Sequence, residues 1–121
     1  MLELATIRII ADMKTGELSE RVAEYLIEDY QDKREAFEDL AKMPLEAFFG
    51  RVKGYADLTD EAKDAFNKTI IPFSQCQGKG RLTNTTIHHI EDRENEEGIR
   101  VYMVEWGEEE FQYFYESGQW G

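Results

Sequence analysis

The chain has one cysteine, Cys76, two histidines, and only 14 basic residues against 26 acidic ones. A single thiol cannot close an internal disulfide, so no covalent staple is available to the fold. Two histidines and one cysteine, with no pair at ligand spacing, leave no zinc site to be expected. His88 and His89 are adjacent on a predicted strand, where successive side chains point to opposite faces, so they cannot share one ion. The shortage of Lys and Arg leaves a formal net charge of −12, which repels a phosphate backbone and an anionic membrane surface. Direct nucleic-acid binding needs clustered cations that release counterions, and none are clustered here. Long apolar runs are missing too. Glu3, Arg8 and Asp12 interrupt the most apolar stretch, well short of the roughly 18 to 20 apolar residues of a spanning helix. The start, Met-Leu-Glu-Leu-Ala, lacks the basic and apolar regions of a secretory leader, and with the lone cysteine this makes a cytoplasmic protein the expectation.

What is present suffices for one core. At 121 residues with 41% hydrophobic and 12% aromatic side chains, residues 1–121 read as a single folded domain rather than a disordered chain. The pattern divides it into a mainly helical part, 1–72, and a β part, 81–117. Leu2 to Met13 is ambiguous: Thr6, Ile7, Ile9 and Ile10 favour a strand, while Leu2, Ala5 and Ile9 share a helical face, and the β-branched content tips the reading toward a strand. From Glu17 to about Tyr30, Leu18, Val22, Tyr25 and Leu26 recur at helical spacing behind Thr15 as N-cap. Asp32 and Glu35 make a capping-box pair for a second helix, which Pro44 stops because proline disfavours helical backbone at Met43. Pro44 then opens a third helix facing inward with Leu45, Phe48, Phe49 and Val52, terminated by Gly54. Thr59 caps a fourth, with Ala62, Phe66 and Ile70 inward and Pro72 as its end.

Beyond Arg81 the period changes from 3.6 to 2. Thr83 to Ile90 is β-branched, Ile99 to Trp106 alternates, and Glu110 to Glu116 follows a tight connection at Gly107. The expected fold is therefore α+β: about four N-terminal helices packed on a C-terminal three-stranded antiparallel meander, with an N-terminal strand possible beside it. One face of the second strand offers Ile99, Val101 and Met103, the other Tyr102, Val104 and Trp106. The third strand offers Phe111, Tyr113 and Tyr115 on one side and Phe114 on the other. Both faces being apolar, the second needs cover from other elements, from a second copy of the chain as a homodimer, or from a partner.

Charge is concentrated in the same region. Glu91, Asp92, Glu94, Glu96, Glu97, Glu105, Glu108, Glu109, Glu110 and Glu116 face only Arg93 and Arg100, so eight of the twelve net negative charges fall in the last 31 residues. The plain reading is a solvated surface. The functional reading is a rigid array of carboxylates that imitates a phosphate backbone, with Tyr102, Trp106, Tyr113 and Tyr115 as anchors. A basic nucleic-acid-binding protein would be steered to it over about one Debye length, roughly 8 Å.

Gln77-Gly78-Lys79-Gly80-Arg81 is the one basic, glycine-rich spot. Gly78 and Gly80 expose backbone N–H groups, and Lys79 and Arg81 add cationic donors, a combination suited to a phosphate group and hence to a nucleotide-binding or sequestering role. The full Walker spacing is absent, and an ordinary connector has the same composition. Cys76 has no histidine close in sequence to activate it. In size, charge and α+β layout the chain is similar to the small acidic anti-defence proteins of bacteriophages, such as anti-restriction and anti-CRISPR inhibitors. That resemblance implies a non-enzymatic inhibitor with no cofactor and no membrane, whose partner is a basic protein rather than nucleic acid itself.

Overall fold

A computed structural model describes residues 2–95, 98–105 and 111–120. The elements are β1 (Leu2–Glu3), α1 (Leu4–Thr15), α2 (Glu20–Leu26), α3 (Tyr30–Lys42), α4 (Leu45–Phe49), a 3-10 turn (Tyr55–Asp57), α5 (Asp60–Gln75), α6 (Lys79–Asn84), β2 (Thr86–Asn95), β3 (Gly98–Glu105) and β4 (Phe111–Tyr115). Helices come first and an antiparallel sheet last, as the period change indicates. The sheet order is β1-β2-β3-β4, so a short N-terminal strand does join the meander. No helix of the described residues is long and apolar enough to cross a membrane.

The N-terminal segment corrects the strand reading: only Leu2 and Glu3 pair in the sheet, and the β-branched run forms α1. Leu4, Ala5, Ile7, Ile9, Ile10 and Ala11 are all buried, so α1 is enclosed on nearly every side. Helix propensity disfavours an isoleucine by a few tenths of a kcal/mol against alanine, up to about 0.7. Burying its side chain gains about 1.5 to 3 kcal/mol, and burial decides. Thr15 closes this helix rather than capping the next: its hydroxyl donates to the Ala11 and Asp12 carbonyls, and Gly16 follows at φ 77°.

The single helix expected from Glu17 to Tyr30 is two. Extended backbone at Ile27 (φ −132°, ψ 109°) ends α2, and α3 opens at Tyr30 behind Asp29 rather than Asp32. The break turns the chain so that Ala23 and Leu26 on one helix and Tyr30 and Phe37 on the other bury in one core. Tyr30 stacks on Phe37 with centroids 5.8 Å apart. Met43 is extended before Pro44, as expected, and the Lys14 ammonium donates to the Ala41 and Met43 carbonyls at 2.8 and 2.7 Å, holding the end of α3. Gly54 does not terminate α4, which ends at Phe49. It sits at φ 92° against β2, where a Cβ would overlap the Ile90 carbonyl oxygen.

Thr59 caps α5 as expected, its hydroxyl oxygen accepting from the Ala62 N–H at 3.2 Å. Pro72 does not end this helix, which continues to Gln75. A proline in the last turn forfeits one backbone bond, and Phe73 beyond it is 5.4 Å from Phe114 and 5.6 Å from Trp120, packing that holds the final turn in place. Asp12 ties the same turn to α1, accepting from Arg8 Nε and Gln75 Nε2, both at 2.9 Å. Residues Lys79–Asn84, read as connector and start of strand, form α6. A single buried cluster draws on every element, with Phe66, Phe73 and Ile70 of α5 meeting Ile87, Ile90, Val101, Met103 and Phe114 from one face of the sheet. Tyr55 lies in it, its hydroxyl donating to Asn67 Oδ1 at 2.8 Å; burial raises its pKa above the ordinary tyrosine value.

Candidate interaction surface

Strand alternation fixes what lies on the other face of the sheet. Val101 pairs with Phe114 and both are fully buried on the α5 side, so their neighbours Arg100, Tyr102 and Val104 on β3, and Tyr113 and Tyr115 on β4, point the opposite way. The register sets Arg100 opposite Tyr115, Tyr102 opposite Tyr113, and Val104 opposite Phe111. From β2 the same face receives Glu91, opposite Tyr102, and Arg93, opposite Arg100. Among the described residues the helix packed on β3 and β4 is α5, on the inner face. The outer face is left uncovered by them.

That face is an aromatic strip threaded with two guanidinium groups. The Tyr102 ring lies 4.9 Å from Phe111 and 5.6 Å from Tyr113, and Phe111 is 5.4 Å from Tyr113. Arg93 sits 4.8 Å over Tyr102, and Arg100 lies 5.3 and 5.5 Å from Tyr113 and Tyr115. Phe111 is 49% exposed, although a buried phenylalanine contributes about 2 kcal/mol to stability. Comparison of the chain with protein-family models, curated proteins and solved structures found no match.

Of the expected anchors, Tyr102, Tyr113 and Tyr115 do share this face; Trp106 lies outside the described residues. Phe111, Arg93 and Arg100 complete the surface and were not among the expected contacts. Phe111 has the same strand parity as Tyr113, a signal readable from sequence. The arginines come into place only through the β2–β3 register.

The carboxylates are less united than the sequence implies. Glu91 Oε2 accepts from Arg93 Nη2 at 3.2 Å. Asp92 turns to the inner side, where Oδ2 accepts from the Thr59 N–H at 3.2 Å and the Thr59 hydroxyl at 2.9 Å, so it anchors the start of α5. Glu94, at the end of β2, and Glu116, just past β4, are exposed near the same end of the sheet. Glu105 ends β3. Glu96, Glu97, Glu108, Glu109 and Glu110 lie outside the described residues.

The glycine-rich segment is not an open loop. Gly78 is the N-cap of α6, Gly80 stands in the first turn, and the Leu82 N–H bonds the Gly78 carbonyl at 3.0 Å. The Lys79 ammonium rests 4.1 Å over the Tyr25 ring, and Arg81 is on the same short helix. The sheet carries a bulge between Ile87 and His89 that inserts His88 as an extra residue, while the His89 ring lies beside Gly54. Among the described residues no group of His, Cys, Asp or Glu could hold a metal ion.

Proposed function

We propose that this chain acts by binding, docking a basic protein partner on the open face of β2, β3 and β4. The observation that carries this reading is the strip of exposed Phe111 and half-buried Tyr102, Tyr113 and Tyr115, four aromatic side chains on a ladder whose opposite face packs on α5. Large aromatic side chains interspersed with arginine are the groups that carry most of the energy of protein interfaces. The partner's sign follows from the net charge of −12, which attracts cationic surfaces and repels phosphate polymers.

The distribution of charge divides the labour. Glu91 and Asp92 are engaged within the molecule, so the adhesive part is the aromatic strip. Glu94 and Glu116 stand beside one end of it, and the residues joining β3 to β4 include Glu108, Glu109 and Glu110. Rings on a chain of net charge −12 offer a basic groove stacking surfaces within a negative field, as the bases and phosphates of a nucleic acid do. The most specific form of the proposal is accordingly an inhibitor that occupies the nucleic-acid groove of a basic enzyme.

Affinity capture from a lysate, with the intact chain and Tyr102→Ala/Tyr113→Ala side by side, tests this. A basic nucleic-acid-binding protein should be retained by the intact chain, released by salt and by its own nucleic acid, and retained at least tenfold less by the variant, a loss of about 1.4 kcal/mol or more from two anchors. Equal capture by a folded variant would exclude this face.

A further inference from the structure

Arg93 and Arg100 stand directly opposite each other in the β2–β3 ladder. Like charges in that position repel, and the pair occurs in a chain with 26 acidic residues available. Arg93 has Glu91 at 3.2 Å. Arg100 has two tyrosine rings instead, and its Nε, shut off from water, has no hydrogen-bond acceptor. A ring attracts the cation through its quadrupole but supplies no lone pairs in the plane of the guanidinium, so the Nε–H of Arg100 stays unused.

We infer that Arg100, with Arg93 across the ladder, is an oxyanion subsite that takes a carboxylate side chain of the docked protein. The inference rests on the reading of this face as a docking surface and adds the chemistry that the face selects. The two oxygens of a carboxylate match Nε and one Nη of the fork, a bidentate geometry lysine cannot reproduce. A carboxylate there also offsets the repulsion within the arginine pair. Reaching Nε requires the half-buried Tyr113 or Tyr115 ring beside it to shift. The occupant is a single carboxylate rather than a phosphate polymer, because the net charge of −12 repels a polyanion laid along the strands. The partner surface is thus basic at its rim and carries one isolated Asp or Glu at its centre. Steering comes from the rim, and the central pair rejects basic surfaces that lack the acid.

Benzoate, a carboxylate on a ring that can lie against Tyr113, is the probe. It is titrated into the full chain while arginine Nε–H resonances are followed by NMR, with phenyl phosphate in a parallel series. A saturable shift at Arg100, absent at the exposed Arg21 and Arg51, is expected. Arg100→Lys, with an unchanged backbone spectrum, should bind benzoate about tenfold more weakly, as loss of a bidentate charge-assisted pair requires. No saturable change at Arg100, equal changes at all arginines, or unaltered binding by Arg100→Lys would overturn the subsite. Tighter binding of phenyl phosphate than of benzoate would overturn the carboxylate assignment. The titration uses the isolated protein, so it can fail while capture through the aromatic strip succeeds, and the reverse.

Discussion

Asp12 is 4% exposed in a chain whose other carboxylates mostly face water, and two donors explain why it can be there. Arg8 Nε and Gln75 Nε2 each approach to 2.9 Å, one from its own helix and one from the end of α5. Asp12→Ala strips both donors of their acceptor and should lower stability by about 1.5 to 3 kcal/mol, the range for hydrogen bonds to a charged group. Urea unfolding with an unchanged m-value would register it, and a loss below 0.5 kcal/mol would contradict the bridging role. Nothing in the sequence marks this residue, since its partner Gln75 is 63 positions away. Asp92 carries the same lesson with the opposite sign. Read as part of a solvated acidic run, it points inward to Thr59, because strand parity, not composition, decides which carboxylates meet a partner. The aromatic anchors were legible for that very reason: Tyr102, Tyr113 and Tyr115 follow from parity alone once Val101 and Phe114 are assigned to the core.

At the scale of elements, the contact between β2 and the start of α5 joins the two halves of the chain. The Thr59 hydroxyl donates to Asp92 Oδ2 and accepts from the Ala62 N–H, so Asp92 sets the hydroxyl rotor in the orientation that capping needs. Thr59→Ala should cost about 1 kcal/mol, the usual value of an N-cap. Asp92→Ala should cost a similar amount, and the double variant should fall short of the sum by at least about 0.5 kcal/mol because the groups act as a unit. Strict additivity in denaturant unfolding would separate them. The elements that sequence periodicity places well are those that one rule dominates: Thr59 as a cap, Met43 extended before Pro44, alternation on β3. Those it misplaces are settled by packing between distant segments. Enclosure of α1 overrides its β-branched residues, burial of Tyr30 and Phe37 breaks the α2–α3 stretch at Ile27, and Phe73 carries α5 past Pro72. The order of helical and β parts survives all three corrections.

Across the whole molecule, the sheet has one committed face and one free one. The inner face packs on α5, which anchors the strands that carry the outer face and limits the backbone entropy lost on association. The helices carry acidic residues over the rest of the surface, Glu24, Glu35 and Asp39 among them, and these contribute to the field away from the strip. Their presence means that association should be sensitive to salt wherever contact occurs, and salt dependence alone does not locate the interface. Side-chain footprinting does. Tyr25 on α2 is 59% exposed and far along the chain from the strip, which makes it an internal control. In hydroxyl-radical footprinting of the complex with the captured partner, Tyr102, Phe111 and Tyr113 should lose reactivity several-fold while Tyr25 keeps its own. Protection of Tyr25 with undiminished reactivity at Tyr102, Phe111 and Tyr113 would place the interface on the helical side and contradict docking through the sheet.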